Sequence, residues 1–100
     1  MANKTFEVVA TYTAVEGRED DVLLCLHELA KASRNEEGNL RYEFFQGVED
    51  PRRIVILESY RTPGDFQTHR ESAHFQRIGA ERIIPLLGNR TVASYESSSS

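Results

Sequence analysis

The sequence has no tryptophan, one cysteine, one methionine and three prolines in 100 residues. The lone cysteine, Cys25, cannot close an internal disulfide, and one Cys with three His is too small a set to suggest a structural zinc site. No apolar run approaches the roughly 20 residues of a membrane-spanning helix. None follows Met1-Ala2-Asn3-Lys4 either, so no export signal is expected and the cytoplasm is the expected compartment. A dense Lys/Arg patch is missing, and 12 basic against 16 acidic residues leave a net charge of −4, which argues against nucleic acid as a main partner. Also absent are G-x-G-x-x-G, a Walker A loop, G-x-S-x-G and C-x-x-C, so conventional nucleotide, Rossmann-flavin and serine-hydrolase readings have no support.

What remains is an ordinary globular composition, 39% hydrophobic and 28% charged, long enough for one core. Residues 1–96 are expected to form a single domain and residues 97–100 a mobile polar tail with nothing to bury. The charge is uneven. Residues 1–50 carry five Lys/Arg against eleven Asp/Glu, whereas residues 51–100 carry seven Arg against five acids. The second half is therefore weakly basic, suited to a small anion or an acidic phenol.

Thr5–Thr13 is rich in β-branched and aromatic residues and reads as a strand. After the Glu16-Gly17 turn, residues 18–37 read as a helix: Val22, Leu23, Leu26, Leu29, Ala30 and Ser33 fall on one stripe, Glu19, Asp20 and Asp21 suit its first turn, and Gly38 suits its end. Leu40–Gln46 and Arg53–Tyr60 read as strands joined in a hairpin across Glu49-Asp50-Pro51. Thr62 is a candidate N-cap with Pro63 at the first helical position, opening a short helix to about Arg70. Ser72 can cap a second stretch over residues 73–84, with Phe75, Ile78, Gly79 and Leu86 inward, before a last strand over Arg90–Tyr95. The order β-α-β-β-α-β predicts an α+β ferredoxin-like fold with both helices on one face of a four-stranded antiparallel sheet. The other face should then alternate with polar residues, yet Ile54-Val55-Ile56-Leu57 and Phe44-Phe45 are apolar on both sides. A second copy of the chain, packed sheet to sheet, is the expected cover, giving a homodimer.

Three groups of residues are candidates for chemistry. Glu58 shares a strand face with Ile54, Ile56 and Tyr60; it is either a buried carboxyl or a strand-end partner of Arg61. His69 and His74 straddle the break at Glu71-Ser72, where they can converge between helix and sheet and serve as a base, or simply cap and pack. Their spacing matches no recognised metal motif, so no metal is assigned. In the segment Ser33–Tyr42, Arg34 offers a cation and Tyr42 a hydroxyl; the alternative is a polar helix end and a core tyrosine.

EGREDDVLLCL after the first strand, SRNEEGNLRYEF, the EDP turn with IVILESY, and HRESAHF followed by IIPLL occur in this order over about residues 5–95. In that arrangement the chain resembles the antibiotic biosynthesis monooxygenase family, a branch of the dimeric α+β barrels. The resemblance implies a homodimer with one pocket per subunit between sheet and helices. It also implies oxidation of aromatic phenols, anthrones or quinols by dioxygen with no metal or organic cofactor. Some members cleave haem instead, but they carry an Asn on the first strand, absent from Thr5–Thr13, and a Trp, absent from this chain. One relative isomerises a phosphorylated sugar derivative. The family's recurring His and Glu map to His74, His69 and Glu58. On this reading His74 or His69 takes the phenolic proton, Glu58 orients that histidine and Arg34 stabilises the anion. The ring lies among Tyr42, Phe44, Tyr60 and Phe75. The rival readings are an isomerase of a small hydroxyketone using the same acid–base groups, and a non-catalytic dimeric ligand binder.

Overall fold

The structure is a computed structural model and describes residues 3–99. Strands β1 (Asn3–Ala14), β2 (Asn39–Gln46), β3 (Arg53–Tyr60) and β4 (Leu87–Ser99) form one antiparallel sheet in the order β2-β3-β1-β4. Helices α1 (Glu19–Ser33) and α2 (Pro63–Glu71), a π-helix over Phe75–Ile83 and a 3-10 turn over Ile84–Leu86 provide the second layer. This is the ferredoxin-like α+β arrangement expected from the element order. Among the described residues no helix is long and apolar enough to cross a membrane.

Strand periodicity decides which side chains meet the helices. Val8, Ala10, Tyr12 and Ala14 of β1 lie on one face with Ile54, Ile56, Glu58 and Tyr60 of β3 and with Tyr42 of β2, and all of them are buried. Against them α1 packs Val22, Cys25, Leu26, Leu29 and Ala30, and the π-helix packs Ile78 and Ile83. A Cβ at Gly79 would stand 3.1 Å from the ring of Phe75 in the same helix, so the absent side chain leaves room for that ring. The opposite face carries Val9, Val55 and Leu57, half-buried, beside the exposed Phe45 and Tyr95.

Three boundaries differ from the sequence expectation. α1 stops at Ser33, not Glu37; residues 34–38 turn instead, with Glu36 N donating to Ser33 O at 3.0 Å and Asn39 N to Glu36 O at 3.2 Å. Gly38 is needed further along, where a Cβ would run into the Asp65 side chain. The stretch after Ser72 winds as a π-helix over most of its length. Finally, β4 runs well past Tyr95, with Ser97, Ser98 and Ser99 opposite Thr5, Lys4 and Asn3. Those serines have no core to enter, but the long β1 offers them an unpaired backbone edge, and the ladder rather than burial extends the strand. Ser100 lies outside the described residues.

Candidate active site

The caps of α2 set the position of its last turn. Thr62 Oγ1 accepts a hydrogen bond from Asp65 N at 3.1 Å, and Pro63 occupies the first turn. At the other end Ser72 is extended. Its Oγ donates to His69 O at 2.6 Å and accepts from Phe75 N at 3.1 Å, so one hydroxyl ends α2 and starts the next helical piece. That break turns both histidines toward the same point. His69, 1% exposed, presents Nδ1 to Glu36 Oε2 at 2.8 Å, and His74 presents Nε2 to the same oxygen at 2.5 Å.

On its other side, His69 Nε2 stands 3.7 Å from Glu58 Oε1, too far for a hydrogen bond. Glu58 Oε1 instead accepts from the Tyr60 hydroxyl at 2.6 Å. Burial pushes the Glu58 carboxyl above the ordinary carboxylate value, despite the opposing Tyr60 hydrogen bond and the facing His69. Burial would raise Glu36 as well, but the hydrogen bonds and charges of His69 and His74 outweigh it and hold that carboxyl below its usual value. The Tyr12, Tyr42 and Tyr60 hydroxyls are all pushed up, first by burial and then by the Glu58 charge, so they keep their protons.

Glu58 and His69 face a cavity of about 140 Å³ between the sheet and α2. Tyr12 and Ala10 of β1 and Tyr42 of β2 floor it; Phe66 and Phe75 wall it. The exposed Arg70 and Arg90 stand at its mouth beside Val92. The His69 ring is enclosed by aromatics, with Phe75 edge-on at 5.2 Å and Tyr60 and Tyr42 at 5.6 and 5.8 Å. The result is a hollow walled largely by aromatic rings and holding one imidazole, one carboxyl and two phenols, with guanidinium groups at the rim.

Of the residues singled out from sequence, His69, Glu58, Tyr42 and Phe75 line this cavity. His74 does not line the cavity; its Nε2 meets Glu36 and its ring lies 6.0 Å from that of His69. Tyr60 is fully buried under Glu58. Arg34 and Phe44 are not brought there. The Arg34 guanidinium donates to Tyr42 O at 3.0 and 2.7 Å, a clamp on β2, and the Phe44 ring meets His27 edge-on at 4.9 Å. The carboxylate within hydrogen-bond distance of His69 is Glu36, whereas Glu58 stands 3.7 Å away. Sequence reasoning missed Glu36, Tyr12, Phe66, Arg70 and Arg90. Pairing β1 with β4 would have found Arg90, which sits opposite Tyr12 in register. Glu36 has no local signal beyond two nearby histidines that need an acceptor.

Comparison with known proteins gives a consistent picture. The profile of the family described as antibiotic biosynthesis monooxygenase matches residues 5–81. YcnE of Bacillus subtilis (strain 168), provisionally described as a monooxygenase, is 34% identical over 64 residues, covering 64% of this chain and 67% of that protein. Among solved structures, PA3566 from Pseudomonas aeruginosa has a TM-score of 0.87 at 26% identity, covering 94% of each chain. SO0527 from Shewanella oneidensis has a TM-score of 0.88 at 23% identity, covering 96% of this chain and 93% of that one, a likeness of fold. The family match and the YcnE likeness support a monooxygenase-like function of a general kind.

Proposed function

Because the chain belongs to the antibiotic biosynthesis monooxygenase family, we propose that it is a cofactor-independent oxygenase of aromatic phenols or quinols in which His69 is the base. The observation that carries this reading is the Glu36–His69 pair at the cavity wall. Glu36 accepts the Nδ1 proton, which fixes the tautomer and leaves the Nε2 lone pair on the Glu58 side of the ring. A phenolic hydroxyl seated between Nε2 and Glu58 gives its proton to Nε2, and the imidazolium formed is stabilised by Glu36. The aromatic walls hold the ring and keep water out, while Arg70 and Arg90 favour the anion at the mouth. The electron-rich anion then reduces dioxygen. For a quinol the balance is quinol plus dioxygen to hydroxyquinone plus water, one oxygen atom entering the ring and the other leaving in water.

The working unit of this reading is a homodimer joined through the open sheet face, where Phe45, Tyr95, Val9, Val55 and Leu57 form the apolar contact. Its compartment is the cytoplasm, where the buried Cys25 stays a free thiol.

A second reading draws on the two arginines. Arg70 and Arg90 at the mouth suit a phosphate or carboxylate, and His69 with Glu58 suits proton transfer on a hydroxyketone, so an isomerase uses the same cavity. A thermal-shift screen of phenols, quinols and sugar phosphates, followed by an oxygen electrode, separates the two. Quinol-dependent oxygen uptake supports the oxygenase. Binding of sugar phosphates with no oxygen uptake replaces it with the isomerase.

A further inference from the structure

Behind the cavity wall three side chains bring ligating atoms to one point. Glu36 Oε2, His69 Nδ1 and His74 Nε2 all lie within 4.8 Å of one another. They come from separate pieces of chain: the turn after α1, the last turn of α2 and the residue that precedes the π-helix. Two imidazoles and a carboxylate make the donor set of an open zinc-class site, in which three protein groups bind and a fourth position is left to water. Ligand atoms about 2.0–2.1 Å from a tetrahedral ion sit about 3.3 Å apart. The widest gap in the cluster therefore has to close by no more than about 1.5 Å, from the 4.8 Å limit of the set.

We propose that Glu36, His69 and His74 form a binding site for a divalent ion of the zinc or cobalt class. The surroundings fit. A metal-bound histidine usually gives its other ring proton to a carboxylate; His69 Nε2 faces Glu58 Oε1 at 3.7 Å, a separation that has to close by about 0.5 Å for that bond, and Glu58 is held in turn by the Tyr60 hydroxyl. His74 is the most open of the three, its side chain 21% exposed against 2% for His69, so the ion enters from its side. π-Helical turns recur at functional sites, and this one begins immediately after His74. The five-residue spacing of the histidines hides the set from a sequence scan, because the third ligand arrives by tertiary folding.

Occupation has one consequence that rests on the base reading above, although the binding itself does not. An ion on Nδ1 leaves the remaining proton on Nε2, so the loaded protein cannot accept a phenolic proton there. The ion is then an inhibitor of the oxygenase reaction.

The test is titration of the full chain with Co²⁺, read by visible absorption. The expected result is one ion per chain with the intense bands of four- or five-coordinate cobalt. Affinity should fall about 100-fold or more in His74→Ala and Glu36→Gln, and about 10–100-fold in Glu58→Gln, the range typical of outer-shell partners. His27→Ala, at an exposed position outside the cluster, should leave it unchanged. On the unmodified protein, Zn²⁺ should shift the ¹⁵N ring signals of His69 and His74 and not those of His27, which keeps the test independent of variant folding. Absence of one-to-one binding, full binding in His74→Ala, or shifts confined to His27 would overturn the proposal. Ion binding without oxygen uptake by any quinol leaves the metal site standing and sinks only the oxygenase reading.

Discussion

The two faces of the single sheet are made by the same four strands, yet they do opposite things with polar groups. On the helix face the polar atoms are few, largely buried and tightly paired: Tyr60 with Glu58, and both His69 and His74 with one oxygen of Glu36. On the open face Glu7 gathers several partners, accepting from Thr5 and Ser59 at 2.7 and 2.6 Å with Arg41 at 3.8 Å, while Tyr95 opposite it and Phe45 further along the face stay more than half exposed. Water makes the difference. Where the helices exclude it, a carboxyl is shifted and a histidine is fixed in one tautomer, which is what proton chemistry needs. Where water remains, the ion pair is worth little and the uncovered apolar rings are what matters, which is what association needs.

Substitutions that break one face and spare the other sharpen this contrast. The largest effect is expected from His69→Ala. Loss of a positioned base should lower quinol-dependent oxygen uptake by about 10²–10⁴-fold, while gel filtration with light scattering still reports an unchanged assembly. On the other face, Leu57→Asp should halve the mass measured by sedimentation equilibrium, because two copies would each bury a carboxylate in an apolar contact; an unchanged mass would remove that face from the interface. Tyr60→Phe should cost about 1–3 kcal/mol in denaturant unfolding, since it leaves the buried Glu58 without its donor.

A smaller effect is expected from pH, and its sign differs between the two carboxyls. Glu36 is depressed in the fold, so its contribution is complete above the ordinary carboxylate value and is lost as pH falls through the lower folded value. Glu58 is raised, so its contribution is complete below the ordinary value and is lost as pH climbs through the higher folded one. The stability gap between the parent chain and Glu36→Gln should therefore narrow as the solution is acidified below the ordinary carboxylate value, whereas the gap for Glu58→Gln should change as pH rises above it. Denaturant midpoints from pH 3 to 8 read both.

The strand and helix order could be read from the sequence because each element carries its own periodicity: the β3 run of Arg53–Tyr60 and the Thr62-Pro63 helix start stand where the residues place them. The errors fall where a distant partner decides. The serines of β4 pair because β1 is long. Arg34 serves a backbone carbonyl of β2, a target no sequence pattern reveals. In the site, His69, Glu58, Tyr42 and Phe75 were legible as chemically apt residues near a helix break or on a core strand face. Glu36 was not, because its position in a turn looks like any solvated helix end, and its importance comes only from His69 and His74 arriving from 33 and 38 residues away.

The account rests on His69, oriented by Glu36, removing the proton of a bound phenol. The most direct measurement is the ultraviolet spectrum of a phenol or quinol bound under nitrogen, compared between the parent chain and His69→Gln at a pH well below the ligand's own ionisation. The account predicts the phenolate band in the parent chain and the neutral phenol band in the variant. The same band in both, at equal occupancy, would contradict it.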